Sequence, residues 1–293
     1  MSTQQHKRRF LINAISSSLQ SVVVAATLFF LYRFLLRTIP VEHIGIWSVI
    51  FAAASIGKLA EMGVSAGVVK FVAACLARNE AQEAAKSIRT AATATSLGIG
   101  LCMLIAYLLS PLYLGWLVGP AHASIAASVL GLALISFWLS SVASVFQSAL
   151  DGCHRMDFRS GLNIITTLLH FGLCLVFTPR WGLWGLGLSQ IIQSLVTLLG
   201  NQIMLQRFLP EMRLRFWGWD REHFRALLRY GLNAQLASVS ITLLSEPITK
   251  AFITNFGGLG MVAYYDMATR MISRSKAGSM PPSGWCSRTE ARN

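Results

Sequence analysis

The chain has 293 residues and a mass of 32.1 kDa; 54% of them are hydrophobic and 13% charged, and the mean hydropathy is +0.55. A soluble domain carries about 25% charged residues, so a soluble enzyme, a disordered chain and a secreted disulfide scaffold are excluded and an integral, polytopic membrane protein remains. The 25 Lys and Arg against 12 Asp and Glu give a net charge of +13, which would suggest nucleic acid in a soluble protein and in a membrane protein reflects basic residues gathered on one side.

In chain order the apolar runs predict spans at 11–36, 44–72, 90–114, 123–149, 161–178, 183–206, 230–254 and 259–272. The first follows Lys7-Arg8-Arg9 but is too long for a signal peptide and has no small-residue cleavage site after Leu36. Basic residues fall in alternate connections. Lys7, Arg8 and Arg9 precede the first span, Arg78, Lys86 and Arg89 follow the second, and Arg155 and Arg159 follow the fourth. After the sixth come Arg207, Arg213, Arg215, Arg221, Arg225 and Arg229, whereas the opposite connections hold only Arg37 and Arg180. By the positive-inside rule the N-terminus and the long loops are cytoplasmic. The same asymmetry accounts for the net charge without nucleic acid.

The outer connections are short and contain Pro40, Gly119-Pro120, Pro179 with Gly182, and Gly257-Gly258, residues that punctuate helices. Trp116, Trp181 and Trp184 fall near the expected interfaces. Residues 77–89 and 208–229 read as amphipathic surface segments whose basic faces rest on anionic phospholipid headgroups.

Two stretches about 220 residues apart are alike. Asn13-Ala14 opens the first span and Asn233-Ala234 the seventh, while Gly45-Ile46-Trp47 and Gly260 with Tyr264-Tyr265 each follow an outer turn. Six spans lie between the copies, so both have the same orientation, a parallel repeat of the kind that builds two-half transporters. The expected fold class is therefore all-α: a polytopic helical membrane protein with one six-helix bundle (1–206), a basic cytoplasmic linker (207–229) and the first two helices of a second bundle (230–272). Residues 273–293 are polar and rich in Ser, Arg, Pro and Gly. That composition reads as a disordered tail or as the product of a truncation or frameshift near residue 273.

The stretches NAISSSLQSVVVAATLFFLYRFLLRTIPVEHIGIWSVIFAAASIGKLAEMGVSAGVVKFVA, LDGCHRMDFRSGLNIITTLL, WGLWGLGLSQIIQSLVTLLGN and LLRYGLNAQLASVSITLLSEPITKAFITNFGGLGMVAYYDMATRM carry a resemblance. They are similar to the lipid-linked oligosaccharide (O-antigen) flippase branch of the superfamily that also contains the multidrug and toxin extruders. The resemblance covers residues 10–272. It implies two six-helix bundles around a central cleft and movement of a lipid-linked anionic saccharide across the bacterial inner membrane for lipopolysaccharide or other surface-polysaccharide biosynthesis. It also implies other surface-polysaccharide assembly proteins as partners. This chain departs from the pattern after about eight helices. Two alternatives stay open: a small-molecule or multidrug exporter of the same superfamily, and an inactive truncated fragment of a flippase.

Charge within a span costs about 2.5–3.5 kcal/mol at mid-helix on insertion scales, so each such residue needs a partner or a water-filled cavity. Lys58 and Glu61 stand at i, i+3 on the second span and Glu246 and Lys250 at i, i+4 on the seventh, with Pro247 between them. In the two-bundle arrangement the resemblance implies, helices one, two, seven and eight line the cleft. The lysines would then face a pyrophosphate or acidic sugar, with the glutamates neutralising them or taking part in proton coupling. Alternatively each set is a self-neutralising pair snorkelling to headgroups. Arg33 and Lys70 lie closer to span ends, and Asp266 and Arg270 form a further i, i+4 set.

No metal or cofactor site is expected. His43, His122, His154, His170 and His223 form no HExxH or shared-face arrangement, and Cys75, Cys102, Cys153, Cys174 and Cys286 form no CxxC. Gly182, Gly185 and Gly187 read as a turn and close helix packing instead of a nucleotide loop, and Gly63 and Gly67 as an intramolecular helix contact. No catalytic constellation is visible, so the chain is not read as an enzyme.

Overall fold

A computed structural model describes residues 3–54, 58–119, 122–214, 218–242 and 246–277. They form the helices α1 (Thr3–Thr38), α2 (Val41–Ala54), α3 (Lys58–Ala77), α4 (Ala81–Leu108), α5 (Ser110–Val118), α6 (Ala123–Gly152), α7 (Met156–Trp181), α8 (Leu183–Phe208), α9 (Arg221–Thr242) and α10 (Glu246–Ala277). A 3₁₀ turn at Pro210–Leu214 joins α8 to the approach to α9. Among the described residues there is no strand. Leu19–Thr38 of α1 and the whole of α4, α6, α7 and α8 are long and apolar enough to cross a membrane, while Val41–Ala52 and Gly63–Ala77 are shorter apolar helices. The chain is a multi-pass helical membrane protein.

Turn chemistry sets the connections. The α3–α4 turn closes on Asn79 at φ 60°, and Glu80 N–H donates to Cys75 O at 2.9 Å; the α6–α7 turn repeats this with His154 at φ 57° and Arg155 N–H on Leu150 O at 3.0 Å. Both are left-handed helix caps, one on an asparagine that tolerates the conformation. α7 and α8 form a hairpin through Gly182, and at Gly185 a Cβ would lie 2.4 Å from Phe177 O, so only glycine permits the approach. Such contacts between small residues substitute for a hydrophobic driving force that lipid does not supply.

α6 is the central helix, packed against α2, α3, α4 and α8. Two apolar cores lie along it. One gathers Leu31, Ile46, Ile50, Phe137 and Leu186 near the α1–α2 turn; the other gathers Val72, Ile88, Phe146, Leu150 and Met212 near the linker. The outward faces stay apolar too: Leu97, Leu101, Leu104, Leu108 and Leu112 run along α4 and α5, all exposed. In water such a stripe would be an interaction or aggregation site; in a bilayer it meets acyl chains.

Three boundaries differ from those expected. The segment 77–89 is not a separate surface helix, because α4 begins at Ala81 and Ala84, Ala85 and Ile88 are buried in the second core. The segment 208–229 likewise ends inside α9, which starts at Arg221. The end of the seventh span joins the eighth in α10, bent at Gly258 (φ 76°, ψ 168°).

Candidate functional site

The bend at Gly258 creates the site. Lys250 and Asp266 are 16 residues apart, a distance of about 24 Å on a straight helix. Gly258 stands midway between them and adopts a positive φ that a residue with a Cβ rarely takes. α10 therefore turns back on itself, and Lys250 Nζ donates directly to Asp266 Oδ1. The other carboxylate oxygen accepts from two hydroxyls: Tyr32 Oη of α1 at 2.7 Å and Ser48 Oγ of α2 at 3.0 Å. All four residues are buried, with Asp266 only 2% and Lys250 only 4% exposed. One carboxylate oxygen thus meets a cation and the other two hydroxyl donors, and hydrogen bonds to charged groups of this kind are stronger than neutral ones.

The four positions share a spacing close to that of the two similar stretches. Ser48 and Asp266 are separated by 218 residues, and the same separation relates Tyr32 to Lys250 and Pro40 to Gly258. Each copy thus carries a helix, a break eight residues after its first polar residue, and a second polar residue eight further on. The first copy supplies neutral donors and the second an ion pair, and the two copies meet on the Asp266 carboxylate.

This junction forms part of the wall of a cavity of ≈ 400 Å³. Trp47 and Phe51 of α2 stack with their ring centroids 6.1 Å apart on one side. On the other lie His170 of α7, with Nε2 3.6 Å from Cys174 Sγ, and Gln190 and Gln193 of α8. A second cavity of ≈ 290 Å³ shares Ser140, Thr167, Gln190 and Gln193 with the first and extends between α1, α6, α7 and α8. Among the described residues no group of three or more His, Cys, Asp and Glu is placed to hold a metal ion.

The helical membrane architecture has counterparts among known proteins. The family model of the polysaccharide biosynthesis proteins matches residues 11–275. This chain belongs to that family. Its fold is that of the MATE transporters of the MOP superfamily. An inward-facing multidrug resistance MATE family transporter superposes with a TM-score of 0.65 at 18% identity, covering 90% of this chain and 63% of that one. The Vibrio cholerae MATE transporter VcmN gives 0.63 at 16% identity, covering 92% and 66%. A solved chain called protein A gives 0.72 at 15% identity, covering 94% and 63%. This chain thus spans less than two thirds of the length of each. No curated protein sequence matches it.

In this family member the predicted site residues separate into three groups. Lys250 and Asp266 come together, although spacing alone pairs Lys250 with Glu246 and Asp266 with Arg270. The side chains of Glu246, Arg270, Lys58 and Glu61 lie outside the described residues. Arg33 and Lys70 are exposed and are not among the residues lining either cavity; Lys70 Nζ sits 4.0 Å above the Tyr230 ring, at the α3–α9 edge. Tyr32, Ser48, His170, Gln190 and Gln193 were not expected. None carries a net charge signal in the sequence, and the similar stretches, 220 residues apart at Asn13 and Asn233 and 215 apart at Gly45 and Gly260, do not put Tyr32 and Ser48 in register with Lys250 and Asp266.

Away from the cavity, the linker is fastened to α4. Thr93 Oγ1 donates to Gly218 O at 3.1 Å and accepts from Gly218 N at 3.2 Å, and Thr90 Oγ1 accepts from Asp220 N at 3.2 Å. Arg89 donates to Glu211 O, and His223 bridges Glu83 at 3.2 Å and Asp220 at 3.3 Å. Asp220 caps α9 by accepting from His223 N and Glu222 N. Those bonds, the one from His223 N above all, hold its carboxyl below the usual aspartate value.

Proposed function

We propose that this chain is the substrate-binding part of a flippase that carries a lipid-linked anionic saccharide across the bacterial inner membrane for surface-polysaccharide assembly. In this reading the basic loops and the N-terminus face the cytoplasm. The observation that carries it is Lys250, a buried lysine in a cavity wall at the meeting of the two repeat copies, neutralised by a carboxylate that has two further donors of its own. Family membership and the transporter fold support it.

A buried ion pair gains little net energy over its separated, solvated charges, while removing one partner is expensive. Exchanging one anion for another on the same cation avoids that cost. A phosphate oxygen arriving at Lys250 takes the place of Asp266 Oδ1, while Oδ2 keeps its bonds to Tyr32 and Ser48. Asp266 can then accept a proton on the vacated oxygen, so that anion entry and proton uptake are coupled at one residue. When the proton leaves, Asp266 reclaims Lys250 and the anion is released. Alternating exposure of the cavity requires the two copies to rock about this junction.

Binding to the chain in lipid nanodiscs tests the reading. A fluorescent undecaprenyl diphosphate-linked saccharide should bind, and Lys250→Gln should weaken it at least tenfold. Preferential binding of a lipophilic cation such as rhodamine 6G would replace the flippase with the multidrug exporter. Failure to bind either would leave the chain as a non-transporting piece of such a protein.

A further inference from the structure

The smaller cavity differs in chemistry from the Lys250 junction. Among its described lining residues there is no charged and no aromatic side chain; the polar ones are amides and hydroxyls. Placing so many such groups within membrane-spanning helices costs free energy unless they find partners. Three pairs satisfy part of the need: Gln147 Nε2 donates to Asn163 Oδ1 at 3.1 Å, Gln190 Nε2 to Gln193 Oε1 at 3.3 Å, and Ser140 and Ser194 meet at 3.0 Å. An amide side chain has two donors and an acceptor with two lone pairs. Each Gln/Asn pair therefore still has a carbonyl on one member and an NH2 on the other, whichever way the amides are turned. These are Gln147 Oε1 with Asn163 Nδ2, and Gln190 Oε1 with Gln193 Nε2, none of which has a side-chain partner among the described residues.

From this we infer that the compartment between α1, α6, α7 and α8 is a subsite for uncharged sugar. A donor and an acceptor held side by side match adjacent ring hydroxyls or an acetamido group, each of which both gives and takes a hydrogen bond. The described lining residues include no carboxylate to hold a cation and no cation to hold a uronic acid. It also has too many polar groups for an acyl chain. Together the two cavities, ≈ 400 and ≈ 290 Å³, fall within the size range of about 300–1,000 Å³ for ligand pockets. Because Ser140, Thr167, Gln190 and Gln193 belong to both walls, a saccharide here is contiguous with an anion at Lys250. The inference rests on the flippase reading for that anion, and adds that the sugar beside it is neutral.

Three probes separate the two ideas: farnesyl diphosphate, the same lipid carrying N-acetylglucosamine, and the same lipid carrying glucuronic acid, each titrated against the chain in nanodiscs. The N-acetylglucosamine form should bind at least tenfold more tightly than the sugar-free lipid, and the glucuronic acid form no more tightly. Gln147→Met with Asn163→Val, at two residues that line the smaller cavity and not the Lys250 one, should erase the tenfold gain and leave the sugar-free affinity unchanged; Asn163→Val alone should do the same if the double variant fails to fold. A gain that survives these substitutions, no gain at all, or an equal gain for glucuronic acid would overturn the subsite. Lys250→Gln reports on the anion separately. If the sugar-free lipid ignores that substitution, the Lys250 reading fails while the sugar gain and its loss still decide the subsite.

Discussion

Tyr32 and Lys250 stand 218 residues apart, close to the spacing of the two similar stretches, and both bind the same carboxylate, that of Asp266. The phenol comes from α1 and the ammonium group from α10, the helix that carries Asp266 itself. One stretch therefore holds both charges, and the other orients them with a neutral donor.

Removing Lys250 alone should be costlier than removing the pair. Lys250→Met takes the lysine away from a buried carboxylate, a loss of about 3–5 kcal/mol. Lys250→Met combined with Asp266→Leu should recover most of that stability while abolishing anion binding. Thermal unfolding of the three variants in one detergent measures the cycle; a double variant as unstable as the single would show that the charges matter to folding beyond each other.

Tyr32→Phe removes one donor from Asp266 and keeps the ring. A hydrogen bond to a charged group contributes about 1.5–3 kcal/mol, so unfolding should move down by an amount in that range. Thermal unfolding of the variant beside the parent chain in one detergent measures the loss.

Glycine substitutions should divide by contact. At Gly185 a Cβ would stand 2.4 Å from Phe177 O, and at Gly231 it would stand 2.9 Å from Gly63 O, so alanine at either forces helices apart. Gly98 meets nothing within 4 Å and lies inside α4, so Gly98→Ala should be neutral or stabilising by about 0.5–1 kcal/mol. Yields of folded protein from the three variants, compared by size-exclusion chromatography, provide the measurement.

Acid should loosen the linker. The Asp220 carboxyl titrates below its ordinary value, so its contribution is complete above the unfolded value and disappears as pH falls through the lower, folded one. Proteolysis around residues 208–220 should accelerate in that acid window, and Asp220→Ala should reproduce the acceleration at neutral pH. If the variant and the parent are cut at the same rate at neutral pH, the cap does not secure the linker.

Much of the fold was legible because long apolar runs leave few alternatives: α6, α7 and α8 match their runs to within a few residues at most of their ends. The Gly63/Gly67 pair was readable as an intramolecular contact, and it faces Gly231 and Leu227 of α9. The start of α4 was less clear because Ala84, Ala85 and Ala91 are small enough to look like surface. Their burial becomes evident only once Phe146, Leu150 and Met212 pack over them. The Lys250–Asp266 pair was hidden for a different reason. Helical spacing rules assume an unbroken helix, and the bend at Gly258 replaces the i+4 neighbour with a residue sixteen positions on. Uncharged polar residues such as Gln190 and Gln193 form no motif, and only the fold shows that they share a wall.

The close approaches at Gly185 and Gly200 against α7, and at Gly187 against α6, leave no slack between these three helices. Three sides of the amide-lined compartment are therefore one stiff block, and α1 is the fourth. Since α1 also carries Tyr32 to Asp266, any tilt that widens the compartment pulls on the carboxylate at the same time. The volume available to a sugar and the strength of the lysine's grip on its counter-ion are then two readings of a single helix angle.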